Sequence, residues 1–329
     1  MLQPRCLGEP EDIVDGMIII GLMWVYAVKK HETTGIFKKF RARITLLGNQ
    51  ERHLLDRLIA YAPVAQAVTA RVLIAAHLHV VGLIKRKLDV SNAYINEFMK
   101  RMVWCKMPPG YVMIKVDGHV LFRKLRPGEK QPKSCTQVIK ALYGGMECGR
   151  IFWEAWVDWH LANGFQMIHE ERCYLHSRDD EGHWIKLCYH VDDNFILAVG
   201  AQFYQDYLTR LATKFDYTEG PLDSHLGVAY HFDDEKGEVR IEQTAQTWKF
   251  IKEFGYENCK PALAPTMDGP PPCEADCSEP YESKWDMEGF IGHACAPGLI
   301  LVRCSKSFLV SPSALATVMW STQNTSFAI

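Results

Sequence analysis

The chain has 329 residues, of which 48% are hydrophobic and 23% are charged, and its formal net charge is −2. The length predicts two or more lobes with a packed core. The near-neutral charge gives no global signal for nucleic-acid binding and leaves room only for a local basic groove. The 11 cysteines are scattered and odd in number, which argues against a disulfide framework and favours an intracellular protein, cytoplasmic or nuclear.

The N-terminal part of the chain is predicted to contain a polar start, two strands and one helix. Residues 1–16 are polar and expected to be loose. The apolar run Met17–Val28 is shorter than the ~20 residues of a membrane-spanning helix, so we interpret it as strand and expect no membrane role. Strands are predicted at Met23–Lys29 and Phe40–Leu47. The helix predicted at Thr69–Val81 is apolar almost all round and should therefore be buried.

The central part of the chain is predicted to contain a strand and an aromatic helix. The strand carries Asp89 and lies around Leu88–Val90, whereas residues 113–140 show few strong signals. A helix is predicted at Arg150–Phe165 because aromatic side chains recur at helical spacing, at Phe152, Trp156 and Trp159. We interpret this stripe as protein core rather than as a cofactor site.

The segment Tyr189–Leu197, with the sequence YHVDDNFIL, places Asp192 and Asp193 between two apolar runs. One interpretation is a hairpin with a polar two-residue turn. The other is a metal site, because carboxylates on a rigid hairpin suit Mg²⁺, which prefers oxygen ligands. A third carboxylate such as Asp89 could join them, and the residues alone leave both interpretations open.

The C-terminal part of the chain is predicted to begin with an amphipathic helix at residues 202–215, followed by strands at Gly227–Phe232 and Glu238–Ile241. The proline-rich stretch Ala264–Pro280 indicates a linker. The alternation of strands and helices predicts an α+β fold with helices on one face of a sheet. Structural roles are expected for two sets of residues that lack zinc-site spacing: Cys273 and Cys277, and His169, Cys173 and His176.

Between Trp24 and Gly269 the chain resembles the reverse transcriptase of copia-type LTR retrotransposons, and the similar segments keep the family's order. They are FRARITLLGNQ, YAPVA, LDVSNAYINE, MPPGY, ALYGGMECGRIFW, YHVDDNFIL, HLGVAY, IEQTAQTWKFIKEFG and CKPALAPTM. Each segment alone is a weak signal, but their shared order is specific. The resemblance implies a fragment of a Pol polyprotein.

The resemblance implies a right-hand polymerase of the α+β class, with fingers and an antiparallel palm sheet backed by helices. After the loose residues 1–16, the fingers and palm would occupy residues 17–230. The start of a thumb or connection would follow at residues 231–263. Residues 264–329 would form a proline-rich linker and a degenerate C-terminal remnant.

The resemblance also implies a catalytic site. Asp89 and Asp192 match the metal-binding carboxylates of the palm, Asp193 matches the second residue of the Asp pair, and the carbonyl of Val90 would be a further ligand. Two Mg²⁺ ions, or Mn²⁺ in their place, would activate the primer 3′-hydroxyl for attack on the α-phosphate of a dNTP.

Nucleotide contacts are implied at Arg43, Tyr94 and Glu147. Arg43 matches a finger cation that grips the triphosphate, and Tyr94 matches an aromatic residue under the sugar that disfavours a 2′-hydroxyl. The implied partners are an RNA template, a DNA primer and other Pol segments. Template and primer contacts are expected at five further residues: Lys38, Lys39, Arg41, Leu226 and Gly227.

The sequence departs from the family pattern at Glu147, where the family has Gln, and at Gly149, where it has Pro. An ionised Glu can only accept hydrogen bonds, and it would repel a triphosphate. We therefore expect poor polymerase activity. One alternative is an inactive relic that acts as a nucleic-acid-binding or interaction scaffold. Another is an unrelated Mg²⁺-dependent phosphohydrolase, against which the ordered motifs argue strongly.

Overall fold

The structure is a computed structural model that describes residues 6–30, 36–51, 61–116, 119–253 and 258. The chain divides into two compact units, Met1–Leu222 and Asp223–Ile329. The division thus falls before the boundary expected at residue 231. The predicted linker and remnant at residues 264–329, including Cys273 and Cys277, lie outside the described residues.

A five-stranded sheet contains the N-terminal strands, in the order β1-β8-β5-β2-β3. Its members are β1 (Leu7–Asp12), β2 (Ile19–Lys30), β3 (Phe37–Leu46), β5 (Trp104–Lys106) and β8 (Ser134–Val138). The expectation of a loose segment at residues 1–16 is wrong for β1, which pairs antiparallel with β8. Cys6 and Leu7 are buried in the core beside this sheet, and this burial anchors the polar strand that follows.

A six-stranded, fully antiparallel sheet forms the second half of the first unit, in the order β13-β4-β12-β11-β10-β9. Its members are β4 (Ile84–Val90), β9 (Gln166–Met167), β10 (Tyr174–Arg178), β11 (Trp184–His190), β12 (Asp193–Val199) and β13 (Tyr217–Pro221). Phe195–Ala198 of β12 are fully buried. Since successive side chains of a strand point to opposite faces, both faces of β12 must be covered.

Among its described residues this unit contains three α-helices: α1 (Ala67–His77), α2 (Cys148–Ala162) and α3 (Ala201–Leu211). Side chains of α2 and α3 share one core with the face of the sheet that carries Leu88 and Ile196. The opposite face of β11 contacts α1, where the rings of His77 and Trp184 lie 4.9 Å apart. The expectation of helices on only one face is therefore wrong, because the apolar run in β12 needs cover on both sides.

The expectation that the first helix is buried all round is also wrong. Ala70, Leu73 and Ile74 are buried, but Val68 is 56% exposed and Val72 is 58% exposed. A stretch that is apolar all round gives no signal for which side faces the core, and only the packing of α1 decides it.

The core between α2, α3 and the sheet contains a fully buried histidine, His160. Its Nδ1–H donates a hydrogen bond to the carbonyl oxygen of Trp156 at 2.8 Å, so its Nε2 accepts one from the Tyr207 hydroxyl at 3.1 Å. Burial lowers the pKa of His160 to about 3, because a charged imidazolium would lose its hydration there. His160 is therefore a neutral core residue at physiological pH.

Shorter elements complete the described part. Two 3₁₀-helices lie at Gly48–Glu51 and Ala93–Asn96, and β6 (Tyr111–Val116) pairs with β7 (His119–Lys124). The second unit contains β14 (Ser224–His225), β15 (Val228–Asp233), β16 (Glu238–Glu242) and α4 (Thr244–Glu253), with the three strands in that order. None of the helices described is long and apolar enough to cross a membrane.

Candidate active site

The turn that joins β11 to β12 consists of Val191 and Asp192, and Asp193 is the first residue of β12. Val191 has a φ of +58°, a conformation that is rare for a β-branched residue. A turn of this kind normally takes Gly or Asn at such a position. Strain of this type costs on the order of 1–3 kcal/mol and clusters at functional sites, so it favours the functional interpretation of this turn over a plain polar turn.

The strand β4 brings the third aspartate beside this turn. Asp89 lies directly opposite Asp193 in the antiparallel register, and the Val90 N–H donates a hydrogen bond to the Asp192 carbonyl at 2.9 Å. The buried amide of Asn194 donates to the carbonyls of Leu88 and Asp192, at 3.0 and 2.9 Å. The backbone of the turn is thereby fastened to β4, while Asp89 stays exposed and Asp192 and Asp193 are half-buried.

An aromatic pair and a cation lie beside these carboxylates. The rings of Tyr94 and Tyr143 are 4.7 Å apart, and the guanidinium carbon of Arg43 lies 4.7 Å from the centre of the Tyr143 ring. Burial raises the pKa of Tyr143, and Asp192 and Asp89 raise it further, whereas Arg43 lowers it. The two carboxylates and the guanidinium therefore act on the same hydroxyl group.

Tyr94 occupies the short 3₁₀-helix Ala93–Asn96 that follows β4, rather than a strand. It is half-buried and packs against the core below the sheet, with its ring 6.2 Å from Phe152. Burial raises the pKa of Tyr94, and the charge of Asp192 raises it further. Both tyrosines thus remain protonated at neutral pH and can donate a hydrogen bond.

Glu147 lies in a different environment from the one expected. It is 4% exposed, and its Oε1 lies 3.1 Å from Nε of Arg101, which also pairs with the buried Glu51. Burial raises the pKa of Glu51, and Arg101 opposes that shift. The premise of an unpaired Glu147 charge facing a triphosphate is therefore wrong, because a cation pairs with that carboxylate inside the protein.

Tyr143 is the residue of the ALYGG segment whose hydroxyl group is influenced by Asp192 and Asp89, and the sequence did not single it out. Its backbone is fastened to the end of β3, where the Leu46 N–H donates to the Tyr143 carbonyl at 2.8 Å. Two glycines, Gly48 and Gly144, permit the two backbone segments to cross at this short distance. A Cβ on Gly144 would lie 2.2 Å from the Leu46 carbonyl oxygen, and a Cβ on Gly48 would lie 2.0 Å from that of Gly144.

Gly144→Ala is expected to lower the free energy of unfolding by about 3 kcal/mol, because φ is +88° there and the new methyl group would meet backbone. The control is Gly128→Ala, where φ is +82° but no atom lies within 4 Å of the added Cβ. It should lose only about 1 kcal/mol. Urea denaturation measures both values, and equal losses would show that the crossing is not tight.

The remaining predicted contact residues fall in two places. Lys38 and Lys39 are exposed and Arg41 is half-buried on β3, the strand that also carries Arg43. Leu226 and Gly227 form the turn between β14 and β15 in the second unit, with φ values of +50° and +77°. Their contacts with nucleic acid stay predictions, as does the role of the Val90 carbonyl.

A second acidic group lies at the other end of the β11 strand. Asp179, Glu181 and His183 place their ligand atoms within 4.8 Å of one another, the one such group of three that the described residues contain. The His183 N–H and Nδ1 contact Asp179 Oδ1 and Oδ2, each at 2.8 Å. Local turn chemistry thus accounts for this group. Cys173 is buried, and burial raises its pKa to about 12, as a structural thiol requires.

The α+β fold, with its carboxylates on a hairpin turn beside a third aspartate, fits a polymerase-like protein. The family described as "Reverse transcriptase (RNA-dependent DNA polymerase)" matches residues 12–268, and the chain belongs to this family.

Three curated relatives are similar to parts of the chain. The retrovirus-related Pol polyprotein from transposon RE2 of Arabidopsis thaliana is 22% identical over 77% of this chain, which corresponds to 16% of the relative. The Pol polyprotein from transposon RE1 of the same plant is 22% identical over 60% of this chain and 12% of its own length. The putative transposon Ty5-1 protein of Saccharomyces cerevisiae is 22% identical over 56% of this chain and 54% of its own length.

Among solved structures, the chain is similar to a telomerase of Candida albicans in complex with a fragment of telomeric RNA, at 10% sequence identity. The match covers 74% of this chain and 50% of that chain, with a TM-score of 0.37. The chain spans only 16% and 12% of the length of the two Pol polyproteins, and its family match identifies it as a reverse transcriptase domain.

Proposed function

We propose that the chain is an RNA-directed DNA polymerase that extends a DNA primer on an RNA template with dNTPs. The observation that carries the proposal is the register that sets Asp89 opposite Asp193, next to Asp192 on its strained turn. The six-stranded sheet would be the palm, the β2–β3 hairpin part of the fingers, and the second unit the start of a thumb or connection.

The residues around the turn fit a pair of divalent cations by the chemistry of their donor atoms. Asp89, Asp192 and the Val90 carbonyl offer the oxygen ligands that Mg²⁺ prefers, with Mn²⁺ as a substitute. Such ions lower the pKa of a primer hydroxyl and neutralise charge on the phosphates. Asp193 adds negative charge opposite Asp89, and the hydrogen bonds of Asn194 hold the turn in place.

Arg43 and Tyr94 would bind the incoming nucleotide. The Arg43 guanidinium is a permanent cation with a fork of donors that suits phosphate oxygens, and it lies 4.7 Å from the centre of the Tyr143 ring. Tyr94 is supported from below by Phe152 and would provide the surface under the sugar.

The exposed end of the β2–β3 hairpin would bind the nucleic acid backbone through Lys38, Lys39 and Arg41. Lys39→Gln is expected to weaken binding of the template–primer and to lower the slope of log K against log salt by about 0.7–0.9, because one phosphate contact is lost. Lys133→Gln, in the exposed loop before β8, is the control and should leave the slope unchanged. A titration of fluorescent template–primer at several salt concentrations measures the slope for each variant. Equal slopes for Lys39→Gln and Lys133→Gln would show that the hairpin does not contact the nucleic acid.

Primer extension on an RNA template with Mg²⁺ and dNTPs tests the proposed function. We expect extension that depends on template, primer and divalent cation. A folded chain that binds template–primer and never extends it would contradict the proposal and favour the scaffold alternative.

A further inference from the structure

We propose that Tyr143 is a positioning residue for nucleotide binding, which holds Arg43 and Tyr94 in place through its ring. This inference rests on the proposed polymerase function and assigns a role to a residue outside the predicted set. The aromatic ring carries this role, and the hydroxyl group makes a smaller contribution.

Two contacts of the ring carry the inference. One connects it with Tyr94 at 4.7 Å between ring centres, and the other with the guanidinium of Arg43 at 4.7 Å. A guanidinium over an aromatic ring is attracted by the negative charge of the ring face. Arg43 is a long side chain that would otherwise sample many rotamers, so this contact lowers the entropy lost when it binds a phosphate.

The backbone around Tyr143 is held firmly enough to fix the position of its ring. The hydrogen bond from Leu46 and the close approach of Gly48 to Gly144 fasten the loop to β3, three residues beyond Arg43. The backbone of β3 therefore holds both residues: Arg43 is part of the strand, and Tyr143 is bound to its end. A ring that is fixed in this way sets the position of the cation, whereas a mobile ring would move with it.

The charges that act on the Tyr143 hydroxyl agree with a position of Tyr143 at the edge of the cluster formed by Asp89, Asp192 and Asp193. Asp192 and Asp89 act on the Tyr143 hydroxyl, and Asp192 acts on Tyr94 as well. The proposal places Arg43, which lies over the Tyr143 ring, where it would meet phosphates bound beside these aspartates. Glu147, four residues further on, is paired with Arg101 in the interior and takes no part in this arrangement.

The test compares Tyr143→Leu, which removes the ring, with Tyr143→Phe, which keeps it. In steady-state primer extension, Tyr143→Leu should raise the KM for dNTP about tenfold, with kcat changed less than about twofold, because tenfold corresponds to ~1.4 kcal/mol of binding. It should also reduce the preference for dNTP over rNTP, since Tyr94 loses its neighbour. Tyr143→Phe should stay close to the wild type in both respects.

A double-mutant cycle with Arg43→Ala shows whether Tyr143 acts through Arg43. If it does, Arg43→Ala should raise the KM much less in the Tyr143→Leu background than in the wild type. The matched control is Tyr174→Leu, which removes a half-buried tyrosine from β10 and should leave the KM unchanged. A gel-shift assay with dideoxy-terminated primer gives a second measure of dNTP binding that needs no turnover.

The outcomes separate this inference from the proposed function. A wild-type chain that extends primers, with Tyr143→Leu unchanged in KM and sugar preference, would overturn the role of Tyr143 alone. Additive effects of Tyr143→Leu and Arg43→Ala would also overturn it. A wild-type chain that neither extends primers nor forms the dNTP-dependent complex would contradict the polymerase function, and this inference with it.

Discussion

Asp89→Asn is expected to lower the rate of primer extension about a thousandfold while leaving the fold intact. Metal ions contribute several kcal/mol of charge stabilisation in phosphoryl transfer, and each ~1.4 kcal/mol corresponds to a factor of ten. An amide in place of the carboxylate has the same shape but no charge, so it holds a divalent cation poorly. Because Asp89 is exposed, the free energy of unfolding should change by less than about 1 kcal/mol.

Single-nucleotide incorporation and urea denaturation measure these two quantities for the same preparation. The control is Asp158→Asn, which removes an exposed carboxylate from α2 and should affect neither quantity. Extension at the wild-type rate by Asp89→Asn would exclude the aspartate from the site. A large loss of stability would mean that its role is structural.

The stability of the protein is expected to fall steeply as the pH drops from about 6.5 toward 3, because of His160. Its pKa is about 3 in the folded protein and near 6.5 when the chain is unfolded, so only the unfolded state takes up this proton in that window. The contribution of His160 is complete above pH 6.5 and is lost at up to about 1.4 kcal/mol per pH unit below it. Over the whole window the loss amounts to several kcal/mol.

His160→Gln removes the titration and keeps both a donor and an acceptor for Trp156 and Tyr207. Its free energy of unfolding should be lower than that of the wild type at pH 7 but should depend less on pH between 6.5 and 4. The exposed His79→Gln is the control and should keep the wild-type slope. A wild-type slope in His160→Gln would show that other groups cause the acid sensitivity.

The elements that carry the aspartates were predictable from the sequence because their pattern is local. The apolar runs on either side of Asp192 predicted the β11–β12 hairpin, and the strand around Leu88–Val90 is the end of β4. The register that sets Asp89 opposite Asp193, rather than Asp192, depends on the Val191–Asp192 turn and on the bonds of Asn194. Such long-range pairings leave no periodic signal in the chain.

Features that depend on tertiary contacts escaped prediction. The strand β1 is mostly polar and exposed, and it exists because β8 supplies its hydrogen bonds. Strands β7 and β8 and most of β6 lie in the polar stretch 113–140, and they too exist because neighbouring strands supply their hydrogen bonds. Glu147 was placed at the nucleotide by motif position alone, whereas the structure pairs Glu147 with Arg101 and sets Tyr143 against Tyr94 and Arg43. The signal that could have shown this is an aromatic residue directly before two glycines.

Counting bound Mn²⁺ by electron paramagnetic resonance tests the site most directly. The sample is the chain assembled with RNA template, dideoxy-terminated primer and the next dNTP. The site at the β11–β12 turn predicts about two ions, as two-metal phosphoryl transfer requires. Asp192→Asn should lose them, and Asp179→Asn, in the second acidic group, should retain them. Mn²⁺ binding that survives Asp192→Asn and disappears in Asp179→Asn would place the metal at the wrong end of β11 for polymerase chemistry and contradict the assignment.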